Sequence, residues 1–272
     1  YDLSGRTVIH AHHRPGNEIN GIDCNHYEDF YSTKKILEGP HIYMPTEFLH
    51  AQDDGGAAAG LADIWELHWN AKLGAGGFIW DFADEGLART DFNGQIDVNK
   101  VNAPDGIVGP HREKEGSFYA IKEIFSPVHI TLKQLPTNFD GAIEVENRYH
   151  HTNLKDCSFA YKLVTYQRPD ADRAGMDAFA GQVINSPAIA PTKKGVLQLQ
   201  LINDWDQYDA LILTAVDPHG EEIYTWTWRI KDNKRITAEI LPIKSATAVT
   251  LTDDSTNYIL KANGITAFIA KK

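Results

Sequence analysis

At 272 residues the chain is too long for one small domain and short for three, so about two domains is the starting expectation. Its composition, 42% hydrophobic and 23% charged, is ordinary for a soluble globular protein able to build a core. The net charge of -11 argues against nucleic acid or an anionic membrane as partner, because both need a basic surface, and it fits neutral ligands.

In chain order, the first part alternates short apolar runs with helical stretches. "TVIHA" (7–11) reads as a strand and "GIDCNHY" (21–27) ends another. "YEDFYSTKKILEG" (27–39) has helical spacing and Gly39 as its stop signal. "HIYMPTEF" (41–48) is a strand, and "AAAGLADIWELHWNAKLG" (57–74) is a helix with Leu61, Ile64 and Trp65 on a broad apolar face. "GGFIWDFAD" (76–84) is again a strand, and "EGSFYAIKEIFSP" (115–127) is a helix stopped by Pro127. Repeated strand-then-helix units imply a parallel sheet with helices outside it.

From Val128 the pattern changes to short alternating runs separated by turn residues, from "HITLKQL" to "EEIYTWTWRI". That predicts an antiparallel β-sandwich of immunoglobulin type. After Ile230, "TAVTLTDDSTNYILKANG" reads as a hairpin opening a further unit. The expected division is therefore 1–127 as an α/β domain, 128–230 as the sandwich, and 231–272 as the start of a further β domain or a linker. Cys24 and Cys157 fall in different parts, which argues against a disulfide. There is no signal peptide and no apolar run near 18 residues, so a soluble protein is expected, with cytoplasm and periplasm both open. Starting at Tyr1 rather than Met, the sequence is expected to be a mature product or a piece of something longer.

Parallel α/β folds collect functional groups where strands end. The strand ends here offer His26 and Tyr27, then Glu47, then Trp80 and Asp81. Glu47 and Trp80 are 80 − 47 = 33 residues apart, one strand–helix–strand unit. A carboxylate there can act as nucleophile or base, a tyrosine hydroxyl can hydrogen-bond it, and an indole can stack on the apolar face of a sugar. On pattern alone the plainer readings stay open: Glu47 as a solvated or salt-bridged residue, His26 as a structural histidine, and Trp80 as core. Trp65, Trp69, Trp226 and Trp228 read as packing. His10 and His12 of "HAHHR" alternate onto one strand face, but no carboxylate follows at a metal-ligand spacing. "GAGG" (74–77) lies after a helix and before a strand, the wrong order for a dinucleotide site.

"PTEFLHA" (45–51), "GGFIWDFADEGL" (76–87) and "DGIVGPHREKEGSFYAIKEIFSPV" (105–128), in that order, resemble glycoside hydrolase family 2, nearest its large β-galactosidases. The resemblance covers most of residues 1–128. It implies the C-terminal half of a (β/α)8 TIM barrel, holding strands five to eight, followed by an immunoglobulin-like β-sandwich. It implies Glu47 as the nucleophile of a retaining double displacement, with Tyr27 hydrogen-bonding beside it. By the same resemblance His26, His50, Trp80 and Asp105 contact the sugar. His50 is the main feature favouring a β-galactosidase over a β-glucuronidase or β-mannosidase relative.

As cofactors the resemblance implies none that all relatives share. Mg or Na serves some full-length relatives, but Asn102 stands where those carry Phe. The family's acid/base is a Glu in an Asn-Glu pair ending strand four. The only such pair here, Asn17–Glu18, follows the stretch that aligns with strand five, so Glu18 reads as a loop residue. The chain is therefore expected to hold one half of a catalytic pair and to be inactive alone. With barrel edges left open, it is expected to form a homo-oligomer or to rearrange its contacts. The alternative in a different class is a non-catalytic carbohydrate-binding or structural piece. The expected ligand is a β-galactoside or related oligosaccharide.

Overall fold

The computed structural model describes residues 4–9, 20–50, 56–98, 105–168, 171–241 and 248–271. These residues are rich in β-structure, with few helices. No described helix is long and apolar enough to cross a membrane.

The first part is built on short parallel pairings. β1 (Ile22–Asp23) pairs in parallel with β2 (Ile42–Tyr43), and Tyr43 bridges in parallel to Gly74. β3 (Phe48–His50) pairs in parallel with β4 (Ile79–Trp80), and Ala83 bridges in parallel to Val108. Helix α1 (Phe30–Leu37) connects the first pair. Asp29 caps it by accepting from the Ser32 amide at 2.8 Å, and Lys34 and Lys35 complement the dipole of the last turn. Helix α2 (Gly56–Asn70) connects β3 to β4 and buries Leu61 and Ile64 against Phe48. Gly74 is required by close approach, since a Cβ there would lie 2.5 Å from the His68 carbonyl oxygen. Helix α3 (Gly116–Ile124) ends just before Pro127, which cannot continue it.

The expected strand at 7–11 does not form over the described residues 7–9, and residues 10 and 11 lie outside the described set. The stretch 76–84 pairs as a named strand only at Ile79–Trp80, because the chain turns there to meet the segment after Asp105. Between them the structure adds a hairpin, β5 (Gly86–Arg89) with β6 (Gln95–Val98), turned through Asn93 and Gly94 at φ 53° and 80°. Asn-Gly is a strong short-range hairpin signal, because both residues tolerate the left-handed region.

The second part is a sandwich of two antiparallel sheets. One has the order β11 (Lys194–Gln198), β8 (Ala142–Asn147), β7 (Val128–His129). The other runs β10 (Met176–Ile184), β9 (Ser158–Tyr166), β12 (Ala210–Val216), β13 (Glu222–Arg229). Alternation along the strands sends Ile143 and Val145 from the first sheet, and Phe159, Tyr161, Leu163, Leu211 and Leu213 from the second, into one core. Trp226 and Trp228 join it, and Trp228 donates its indole N–H to the Leu132 carbonyl at 2.8 Å. Asn147, fully buried, donates to the carbonyls of Thr152 and Ile189 and accepts from the Tyr149 amide, so its polar atoms cost little to bury. Cys24 and Cys157 are both buried and are not joined in a disulfide.

After the sandwich come helix α4 (Asn233–Ile240) and a three-stranded antiparallel sheet, β14 (Thr250–Asp253), β15 (Asn257–Ala262) and β16 (Ile265–Ala270). The expected hairpin is thus extended by a third strand.

The α/β part and the sandwich are stitched by side chains. Arg148, just past β8, donates from both terminal nitrogens to Glu66 of α2 at 2.6 and 2.9 Å, and from Nε to Glu146 at 2.9 Å. Its guanidinium sits 5.1 Å from the Trp69 ring. Lys122 of α3 pairs with Glu222 at 2.6 Å, and the Tyr224 hydroxyl donates to Glu123 at 3.0 Å.

Candidate active site

The site forms where the parallel segments end. Tyr27 follows β1, and its backbone is in the left-handed region at φ 57°, which is strained for a bulky residue. That conformation turns its amide to the Glu47 carbonyl at 3.2 Å, while its hydroxyl donates to Glu47 Oε2 at 2.7 Å. One residue is thus fixed on the other by both backbone and side chain. His26 places Nδ1 4.0 Å from Glu47 Oε1, and its ring lies 5.0 Å from that of Tyr27. The His26 side chain is 6% exposed and that of Glu47 33%, so the carboxylate is the part that solvent or a ligand can reach.

The phenol of Tyr27 is held above its ordinary value of 10.0. Partial burial is the largest cause, followed by the hydrogen bond to Glu47 and the negative charges of Glu47, Asp105 and Asp81. Tyr27 therefore keeps its proton and remains a donor to the carboxylate at any physiological pH.

A second strand end joins from the other side. His50 and Trp80 are register partners in the β3–β4 pair, which brings the backbone of the "PTEFLHA" segment beside that of "GGFIWDF". The Trp80–Asp81 peptide bond is cis. The Asp81 amide donates to the Asp105 carbonyl at 3.0 Å, and the Ile107 amide to the Asp81 carbonyl at 3.0 Å. Asp84 accepts from the Gly106 amide at 2.9 Å. A Cβ at position 106 would lie 2.2 Å from the Asp84 nitrogen, so only glycine allows this approach. Asp105 is thereby held, buried, next to Trp80 and Asp81.

Of the six residues expected from sequence, Tyr27, His26 and Glu47 meet directly. The backbone ladder brings Asp105 and Trp80 alongside. The side chain of His50 lies outside the described set, as do His10, His12, Glu18 and Asn102. Asp81 was visible in sequence only as a strand-end position; its charge acting on Tyr27 makes it a member of the cluster. Among the described residues no three His, Cys, Asp or Glu side chains gather closely enough to hold a metal ion.

No protein-family model matches the chain, and no curated protein matches it. Among solved structures it aligns with the exo-chitosanase CsxA of Amycolatopsis orientalis, over 78% of this chain and 20% of that one, at 13% identity and a TM-score of 0.25. A variant of the same protein in complex with PNP-beta-D-glucosamine aligns over 75% of this chain at the same identity and TM-score. The chain therefore spans about a fifth of the length of the solved structures it matches. A likeness at that level does not establish a shared fold.

Proposed function

We propose that this chain carries the nucleophile half of a retaining glycosidase acting on β-galactosides. The observation that carries the reading is Glu47, at a strand end, with one carboxylate oxygen held by the Tyr27 hydroxyl at 2.7 Å. A carboxylate fixed through one oxygen presents the other to an anomeric carbon in a constant orientation. Attack forms a glycosyl ester on Glu47 while the leaving oxygen departs with the bonding pair and takes a proton from an acid; water then attacks the anomeric carbon, giving its proton to that same group, and Glu47 leaves as the free carboxylate. The Trp80 indole supplies an apolar wall for the sugar and Asp105 a polar one. The galactoside over glucuronide or mannoside rests on His50, and the half-barrel and immunoglobulin-like assignments rest on the sequence blocks together with the parallel pairings and the two-sheet sandwich.

The acid/base carboxyl has no counterpart in the sequence motifs of residues 1–272, so the proposed chemistry is split. An activated substrate separates the two halves. A dinitrophenyl 2-deoxy-2-fluoro-β-galactoside needs no acid, because dinitrophenolate leaves as an anion. Incubation with the chain should add the fluorosugar mass to the peptide containing Glu47, and Glu47→Gln should abolish the addition. Labelling independent of Glu47 would overturn the nucleophile assignment. Steady turnover of an ordinary nitrophenyl β-galactoside, abolished by Glu47→Gln, would overturn the missing-acid argument. Sugar binding without any labelling would favour the second reading, a non-catalytic saccharide-binding piece, which the lack of a paired carboxyl motif keeps in view.

A further inference from the structure

A cleft lies at the opposite end of the same strands. Gly74 sits beside Tyr43 where the segment leading to β4 begins, and Trp80 ends it beside Glu47's strand. The separation is 80 − 74 = 6 residues, at most about 20 Å of chain. At the Gly74 end this cleft, of about 700 Å³, opens between the last turn of α2 and the edge of the sandwich. That is within the roughly 300–1,000 Å³ of small-molecule sites, which favour such seams between packed units.

The cleft combines two kinds of surface. Trp69 and His150 stand 5.9 Å apart at 55°, a bent aromatic wall contributed one ring by each unit. Around it are a carboxylate (Glu146), a side-chain amide (Asn70) and an ammonium (Lys72). Glu146 is oriented: one oxygen accepts from the Trp69 indole at 3.3 Å and the other from Arg148 at 2.9 Å. The guanidinium behind the wall is already taken by Glu66 and Glu146, so it is not available to an incoming anion. His68 also lines the cleft. It is 3% exposed, and neither ring nitrogen has a hydrogen-bond partner among the described residues. Its ring stacks on Tyr43 at 5.2 Å and both nitrogens are covered, so it backs the wall of the cleft and is not a contact for a ligand.

We propose that this cleft is a second saccharide site, binding a neutral β-linked oligosaccharide segment remote from Glu47. Aromatic planes take the C–H faces of sugar rings, and the Asn70 amide, Glu146 carboxylate and His150 imidazole take hydroxyls of either polarity. The choice of a saccharide, rather than another neutral polyol, rests on the glycosidase reading of Glu47.

The test is imidazole NMR and calorimetry with a β-linked galactotetraose on the whole chain. The resonances of His150 should move on titration. His150→Ala and Asn70→Ala, both at exposed positions, should weaken binding by about tenfold, while Trp80→Ala leaves this component unchanged. Unmoved His150 resonances, or binding lost with Trp80→Ala and untouched by His150→Ala, would overturn the proposal. If Glu47 is labelled by the fluorosugar but the cleft binds nothing, only the cleft fails. If binding depends on His150 but Glu47 is never labelled, only the nucleophile reading fails.

Discussion

The sandwich and the α/β part are stabilised in different ways. In the sandwich, Ile143, Leu163, Leu197, Leu211 and Leu213 are fully buried in one continuous core. In the α/β part the described core is smaller, a cluster of Phe48, Leu61 and Ile64 with Tyr43, Cys24 and Val108 buried elsewhere, while Phe78 and Phe82 near the candidate site are 59% and 67% exposed. The chemistry-bearing residues therefore sit on the thinly packed side, and the thick core stands beside it as a support. Arg148 ties the two by gripping α2, the helix that follows the Glu47 strand. Thin packing near a site is compatible with function only if something else holds the geometry, and here the backbone ladder around Asp81 and the Tyr27–Glu47 pair do so.

This contrast predicts two unfolding transitions in urea, the α/β part melting first. The largest effect should come from Phe159→Ala, at 1% exposure, which should lower the later transition by about 3–5 kcal/mol and leave the earlier one in place. Leu61→Ala should act on the earlier one. A single transition lowered equally by both would show that the two parts unfold as one unit.

Acid sharpens the same contrast. Burial pushes the His68 imidazole down to about 4 from its ordinary 6.5. Above pH 6.5 it is neutral folded and unfolded, and its contribution to stability is complete. As pH falls from 6.5 to 4, the unfolded chain binds a proton that the folded chain refuses, so stability is lost, by about 3 kcal/mol in all. The loss should appear in the α/β transition and be flattened in His68→Phe. An acid-insensitive α/β transition would mean that His68 is solvated.

Next in size is the seam. Arg148→Met removes a 5%-exposed side chain bound to two carboxylates, of which Glu66 is 44% exposed and can recover hydration. The cost should be about 1–3 kcal/mol, short of the penalty for a fully buried pair, and the two transitions should move apart. Transitions that stay equally spaced would place the coupling elsewhere, at Lys122–Glu222 for example.

What could be read from sequence follows the same physical division. The helices on either side of the candidate site were legible because their signals are local: Gly39 as stop after "FYSTKKILE", Pro127 after "AIKEIFS". So were the sandwich strands with strict alternation. β10 was not, because "MDAFAGQVI" mixes small and polar residues around Gly181, whose missing Cβ lets the strand close against the Tyr161 carbonyl at a register shift. α4 was also missed, though Asp232 caps it by accepting from the Arg235 amide. For the site, strand ends pointed to Tyr27, Glu47 and Trp80. The Asp81–Asp105 ladder depends on contacts between segments 24 residues apart, which no local pattern encodes.

The smallest effect on stability should come from Tyr27→Phe, and it is the most informative for the site. The phenol is partly exposed, so losing its hydrogen bond to Glu47 should cost only about 1 kcal/mol in the α/β transition. The fluorosugar labelling of Glu47 should nevertheless slow by about tenfold or more, because the carboxylate loses the contact that fixes which oxygen attacks. The pH profile distinguishes this from general loosening. The Tyr27 phenol is raised above 10.0, so in the unaltered chain the labelling rate should hold through the ordinary tyrosine range and fall only beyond it. In Tyr27→Phe that alkaline limb should vanish while the rate stays uniformly low. If the variant labels as fast as the parent with the same alkaline limb, the 2.7 Å contact is a packing detail and the orientation of Glu47 comes from the backbone alone.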